Sequence, residues 1–264
     1  MKRIFAVGCA LLAGSLMADA ASEEVVRGQN ELGVLAVETR TKNTIVPIAF
    51  TELSDGSAMK VADFVKTQNL EVGDQVAVYT GTKDTYDTWQ LAENSETGAK
   101  YWQAVTTKMT LSGGGLTSEL GKDASSVAKV VGTGVWLILK DDRAATNPVT
   151  FYINGKPVDN PITTTTAGAW NLLGNPKSTS FNSFEGASGD QVVIPDGSGF
   201  RNYLYGQYAQ GASGWYYETW EQEKRTVLGK EEWVTKCVKH PGTPTIDGGK
   251  GFWYYTQSAR TLTW

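Results

Sequence analysis

The sequence predicts an all-β protein: two internally duplicated β-sandwich or barrel-like halves with one or two short helices. Three observations carry that reading. Twenty-nine glycines punctuate a chain rich in aromatic and β-branched residues. Short alternating apolar runs recur between turn signals, whereas long helical periodicity is nearly absent. Four landmarks also occur twice in the same order.

The first residues have the layout of a secretory signal: Lys2 and Arg3, an apolar run from Ile4 to Met17, then Ala18-Asp19-Ala20. Cleavage is expected after Ala20. The run is too short to span a bilayer, and Cys9 lies too early in it for a lipoprotein signal. Removing residues 1–20 leaves Cys237 as the one cysteine, so the exported chain must fold by burial without an intramolecular disulfide. In that setting Cys237, between Lys236 and Val238, reads as a small buried apolar residue.

Gly33–Thr39, Gln75–Tyr79 and Gly134–Leu139 read as half-buried or buried strands. Ala58–Gln68 is the one stretch with a helical apolar face, through Val61, Ala62, Phe64 and Val65. Phe151–Val158 reads as a hairpin closed by Asn154-Gly155, a pair suited to a type I′ turn.

The recurrences are Gly73-Asp-Gln-Val76 with Gly189-Asp-Gln-Val192, and Tyr86-Asp-Thr-Trp89 with Tyr217-Glu-Thr-Trp220. The step from Trp89 to Trp102 matches that from Trp220 to Trp233, and Gly132-Thr-Gly-Val-Trp136 matches Gly249-Lys-Gly-Phe-Trp253. Lys42–Pro47 likewise stands where Trp170–Pro176 stands later. The expected organisation is a signal peptide (1–20), a first β repeat (21–140), a bridging hairpin segment (141–167) and a second β repeat (168–264). Gly-Asp before a strand is a tight turn whose aspartate bonds the turn backbone. Gly-x-Gly before an aromatic strand marks a bulge or a close backbone approach.

The order Trp-Asn-Leu-Leu-Gly-Asn-Pro (170–176), Gly-Asp-Gln-Val, a central Trp and Gly-x-Gly-Phe-Trp resembles a widespread set of secreted bacterial proteins. That set occurs as large paralogous groups in Verrucomicrobia and Lentisphaerae. Gly33–Phe50 and Val61–Val78 are similar to its N-terminal half, with Val46-Pro47 in place of Gly-Asn-Pro. The resemblance implies export and a β architecture, and no activity.

Catalytic constellations are not expected. His240, the one histidine, precedes Pro241-Gly242 in a context that reads as a turn without a nucleophile nearby, which argues against Ser-His-Asp and Cys-His chemistry. One histidine and one cysteine beyond the signal cannot make a His-rich zinc site, and neither a metal nor a cofactor is expected. Asp141-Asp142, Glu231-Glu232, Glu218 and Glu221 read as surface charge, because adjacent strand residues point to opposite faces. A formal net charge of −4 gives no attraction to phosphate backbones, so nucleic acid is not an expected partner.

Aromatic residues remain as site candidates. Trp89, Trp102, Trp136, Trp220, Trp233 and Trp253 recur between halves and are assigned to the core. Tyr203, Tyr205, Tyr208 and Trp215, together with Trp220, form the candidate ligand-binding cluster, since stacked rings hold sugars through a flat apolar face. The leading expectation is an exported, non-catalytic envelope or extracellular protein, structural or adhesin-like. It would act through contacts with other envelope proteins, a second copy among them. Carbohydrate binding is the alternative. An outer-membrane barrel is the third reading, prompted by terminal Trp264 but opposed by Arg260 on the same strand face.

Overall fold

A computed structural model describes residues 34–50, 52–60, 70–79, 86–106, 119–120, 132–196, 199–227 and 230–264. The signal segment and most of the expected helix at 58–68 lie outside these residues. Sixteen strands account for most of the described chain, and the one helix among the described residues is a single turn, α1 (Arg143–Thr146).

The N-terminal strands are β1 (Val34–Thr39), β2 (Asn43–Pro47), β3 (Gln75–Tyr79), β4 (Tyr86–Glu93), β5 (Lys100–Thr106), β6 (Glu119–Leu120), β7 (Gly134–Ile138) and β8 (Val149–Asn154). The C-terminal strands are β9 (Ile162–Thr164), β10 (Ala169–Gly174), β11 (Gln191–Asp196), β12 (Gly199–Ala209), β13 (Ala212–Val227), β14 (Lys230–Pro241), β15 (Gly251–Thr256) and β16 (Thr261–Thr263).

Each set builds one six-stranded antiparallel sheet, β2-β7-β3-β4-β5-β6 in the first and β10-β15-β11-β12-β13-β14 in the second. Each also builds a two-stranded sheet from its first and last strands, β1-β8 and β16-β9. The two pairing schemes therefore coincide strand for strand. Alternation sets the faces: β1 and β15 send every second residue inward, as period-two patterning requires. The cores are two clusters, one around Leu35, Phe50, Trp89, Leu91, Trp102 and Leu137, the other around Val192, Trp215, Phe252, Tyr254 and Trp264.

The Gly-Asp landmarks act as expected, and more strongly. Gly73 and Gly189 hold φ of +103° and +92°. Asp74 and Asp190 behind them are fully buried. Asp74 accepts from the Glu71 N–H (2.8 Å), the Lys140 N–H (2.9 Å) and Arg143 Nη1 (3.1 Å). Asp190 accepts from the Ala187 N–H (2.9 Å), the Gln257 N–H (2.7 Å) and Arg260 Nη2 (3.3 Å). Each aspartate thus ties the turn before one strand to the segment after another, and Arg143 and Arg260 neutralise them. Asp74 in turn raises the pKa of the Arg143 guanidinium.

Gly-x-Gly is a close approach. A Cβ on Gly134 would lie 2.6 Å from the Leu173 carbonyl oxygen, and one on Gly251 would collide with Ile45. Gly174 sits as tightly on Pro47, 2.7 Å from its Cα. The inner edges of the two sheets meet there, joined by the Thr133–Leu173 bridge and by the Gly174 N–H bonding the Gly132 carbonyl (2.9 Å).

Two expectations are corrected. Asn154-Gly155 closes no hairpin: β8 pairs with β1, and neither residue has a positive φ. Gly155 is needed for space, since a Cβ would fall 2.3 Å from Phe50 Cβ. The alignment of Tyr86–Trp89 with Tyr217–Trp220 is one strand out of step. In the sheet order β12 occupies the place of β4, and β13 that of β5.

Candidate functional site

The register shows what the shifted alignment hid. Val76 pairs with Trp89 and Val192 with Tyr203; Leu91 pairs with Trp102 and Tyr205 with Trp215. The Leu91 and Tyr205 N–H groups bond the Asp74 and Asp190 carbonyls at 2.8 and 2.9 Å. Tyr203, Tyr205 and Trp215 therefore hold the positions of Trp89, Leu91 and Trp102. A sequence signal for this exists: Trp102 and Trp215 each follow a positive-φ turn glycine, Gly98 and Gly211, by four residues.

Trp215, a candidate sugar platform, is 7% exposed. Its ring packs on Tyr205 (5.3 Å) and Phe184 (6.3 Å), and its Nε1 donates to the Phe184 carbonyl (3.1 Å). Tyr203 and Tyr205 flank that core. Tyr208 lies over Tyr216. The structure brings Tyr203, Tyr205 and Trp215 together, but as packing. Trp264 is likewise interior, donating from Nε1 to Thr163 Oγ1 (2.7 Å).

Trp220 and Trp233, whose recurrence assigned them to the core, are the most exposed large apolar residues described, at 70% and 65%, so Trp220 alone of the candidate binding cluster stands well out in solvent. They lie on a long arm formed by β13 and β14, where twelve successive pairs run from Tyr216–Pro241 to Val227–Lys230. Past Tyr217 the arm has no buried residue on either face among those described. Trp220 stands opposite Cys237, Gln222 opposite Thr235 and Lys224 opposite Trp233. These six share a face, with the two indoles about 13 Å apart along the strand direction. The other face carries Glu221, Glu223, Arg225, Glu232 and Lys236. Arg225 holds the Glu223 carboxyl below the usual carboxylate range.

Cys237 is half-exposed, in contrast to the buried role expected of it. Partial desolvation, reinforced by Glu218, pushes its thiol pKa up and keeps it protonated. His240 stacks on Tyr217 (5.0 Å between centroids, 18° between planes) and shares a 2.7 Å hydrogen bond with Thr219. Among the described residues no three His, Cys, Asp or Glu side chains converge as metal ligands.

A second aromatic group was not apparent in the sequence. Tyr86, Tyr79, Trp253, Trp170 and Tyr255 make successive ring contacts at 5.5, 5.2, 6.5 and 5.4 Å across the junction of the two sheets. The residues come from four strands of both sets. Trp170, next to the Tyr255 end, is 39% exposed. A polar cleft of about 690 Å³ lies elsewhere, between the 157–161 connector, Phe50 and residues 176–179.

These features define an all-β protein with two sheets of like order, a buried Asp–Arg clasp in each, and a solvated two-stranded arm. In comparison with known proteins, no family model, no curated protein and no solved structure matches the chain.

Proposed function

We propose that the chain is an exported, non-catalytic envelope or extracellular protein, built from two copies of one eight-strand unit, which works through protein contacts made by the β13–β14 arm. The observation that carries this reading is the arm itself. Trp220 and Trp233 expose most of their surface on an element with no core of its own. Exposed apolar patches rimmed by polar residues mark interaction sites, and tryptophan is among the residues enriched at interface hot spots. A β-ribbon can be solvated on both faces, but burying its indoles against a partner stabilises the bound state. The localisation rests on the apolar N-terminal segment and its small-residue cleavage site.

Co-sedimentation with envelope material from the producing cells tests the reading. The chain is expected to sediment with that material, and Trp220→Ser/Trp233→Ser to lose about tenfold or more of the binding while remaining folded. Equal binding by the folded double variant sinks the reading.

The Tyr86–Tyr255 aromatic strip favours carbohydrate binding as a second reading. It replaces the Tyr203–Trp215 cluster as the platform, because Trp170 is accessible where Trp215 is buried. Saturable binding on a glycan array, lost in Trp170→Ala, supports it. Binding to no glycan, by folded protein, eliminates it.

A further inference from the structure

We infer that the partner of the arm is a second copy of the chain, docked by antiparallel pairing of β14 with β14 about a two-fold axis at Thr235. This rests on the reading that the arm is a docking element, and adds the occupant and its register.

β14 is the outer strand of its sheet. The Gly242 N–H donates to the Trp215 carbonyl (3.0 Å). Main-chain groups alternate sides along a strand, so even-numbered residues of β14 face β13. Glu231, Trp233, Thr235, Cys237 and Lys239 therefore direct N–H and C=O away from the sheet. Twelve residues give this edge a length of about 40 Å, longer than most strands in globular proteins, and an unpaired edge is a template for pairing with another chain.

The edge is self-complementary in the register centred on Thr235. With Thr235 opposite Thr235 of the other copy, Trp233 falls opposite Cys237, and Glu231 opposite Lys239. All these residues carry outward main-chain groups, so the main-chain hydrogen bonds fit this register. Trp233 of one copy then lies across Cys237 beside Trp220 of the other, and each exposed indole gains an apolar neighbour. On the opposite face Glu232 sits diagonal to Lys236 of the second copy, within reach of a cross-strand ion pair. Moving the axis by one residue, to Lys236, sets two lysines directly opposite, which is destabilising. A two-fold contact of this kind uses the same patch twice and closes on itself.

Sedimentation velocity of the purified chain at concentrations on the order of 100 µM, in the range where micromolar association registers, is the first measurement. Dimer that increases with concentration is expected. Cysteine crosslinking then reads the register: in a Cys237→Ser background, Thr235→Cys brings two thiols to opposed positions about 5.5 Å apart between Cα atoms. Disulfide formation under mild oxidation should be at least about tenfold faster than for Gln222→Cys in the same background, because pairing raises the effective concentration. A chain that stays monomeric, with Thr235→Cys crosslinking no faster than Gln222→Cys, overturns the proposal. Preferential crosslinking of Val234→Cys overturns the register. If self-pairing fails while Trp220 and Trp233 still govern envelope binding, the arm remains a docking element and only its occupant is wrong.

Discussion

At the residue scale, the structure separates side chains that hold the fold from those that leave it. Asp74 and Asp190 are fully buried carboxylates, each satisfied by two backbone N–H groups and one arginine. Removing one partner of such a group leaves the other buried and uncompensated. Asp74→Ala and Asp190→Ala should each lower unfolding free energy by about 3–5 kcal/mol in denaturant titrations. Tyr254, also fully buried, donates to the Glu185 carbonyl (2.8 Å), and burial pushes its pKa up to about 12. Its neutral form is the one the fold favours. The stabilisation is thus complete below the unfolded value of about 10 and is lost as pH rises from there towards 12. The chain should lose roughly 2 kcal/mol more across that interval than Tyr254→Phe, which lacks the ionising group. Equal alkaline slopes for the two proteins would show that Tyr254 ionises freely.

At the scale of elements, a tryptophan's role follows from its position along a strand. β13 begins as an inner strand, where Trp215 fills the place Trp102 fills in β5, and ends as half of a solvated ribbon carrying Trp220. Trp215→Ala should cost about 3–5 kcal/mol by cavity formation. Trp220→Ser and Trp233→Ser should each stay within about 0.5 kcal/mol of the parent. Thermal denaturation of the three variants checks this contrast. Strands β1, β3 and β7 were legible from alternation, and the Gly-Asp turns and Gly-x-Gly approaches from glycine placement. The arm was not. Trp89–Trp102 and Trp220–Trp233 share a spacing of thirteen residues, yet the first pair spans β4–β5 and the second β13–β14. Periodicity alone cannot tell a strand that continues the core from one that extends past it. The hairpin expected at Asn154-Gly155 failed for a related reason: pairing with β1, more than a hundred residues away, prevailed over a local turn preference. The aromatic strip escaped notice because its five rings come from four strands of two sheets.

At the scale of the whole molecule, the two sheets meet where Gly134, Gly174 and Gly251 leave no room for a side chain. Gly251→Ala places a methyl group into Ile45, and overpacking of this kind costs about 1–3 kcal/mol. If the junction holds the halves as one cooperative unit, the variant should split or broaden the single calorimetric transition expected of the parent. Stability is thus concentrated in the two cores and their junction, with the arm's docking face at the outer edge of the second sheet. Amide hydrogen exchange, comparing the chain dilute and alone with the chain assembled at high concentration or bound to envelope material, tests this division most directly. Slowed exchange across Lys230–Pro241, strongest at Glu231, Trp233, Thr235, Cys237 and Lys239, with the cores unchanged, is the predicted result. An arm whose exchange is the same in every condition, while the strip around Trp170 becomes protected, would contradict it.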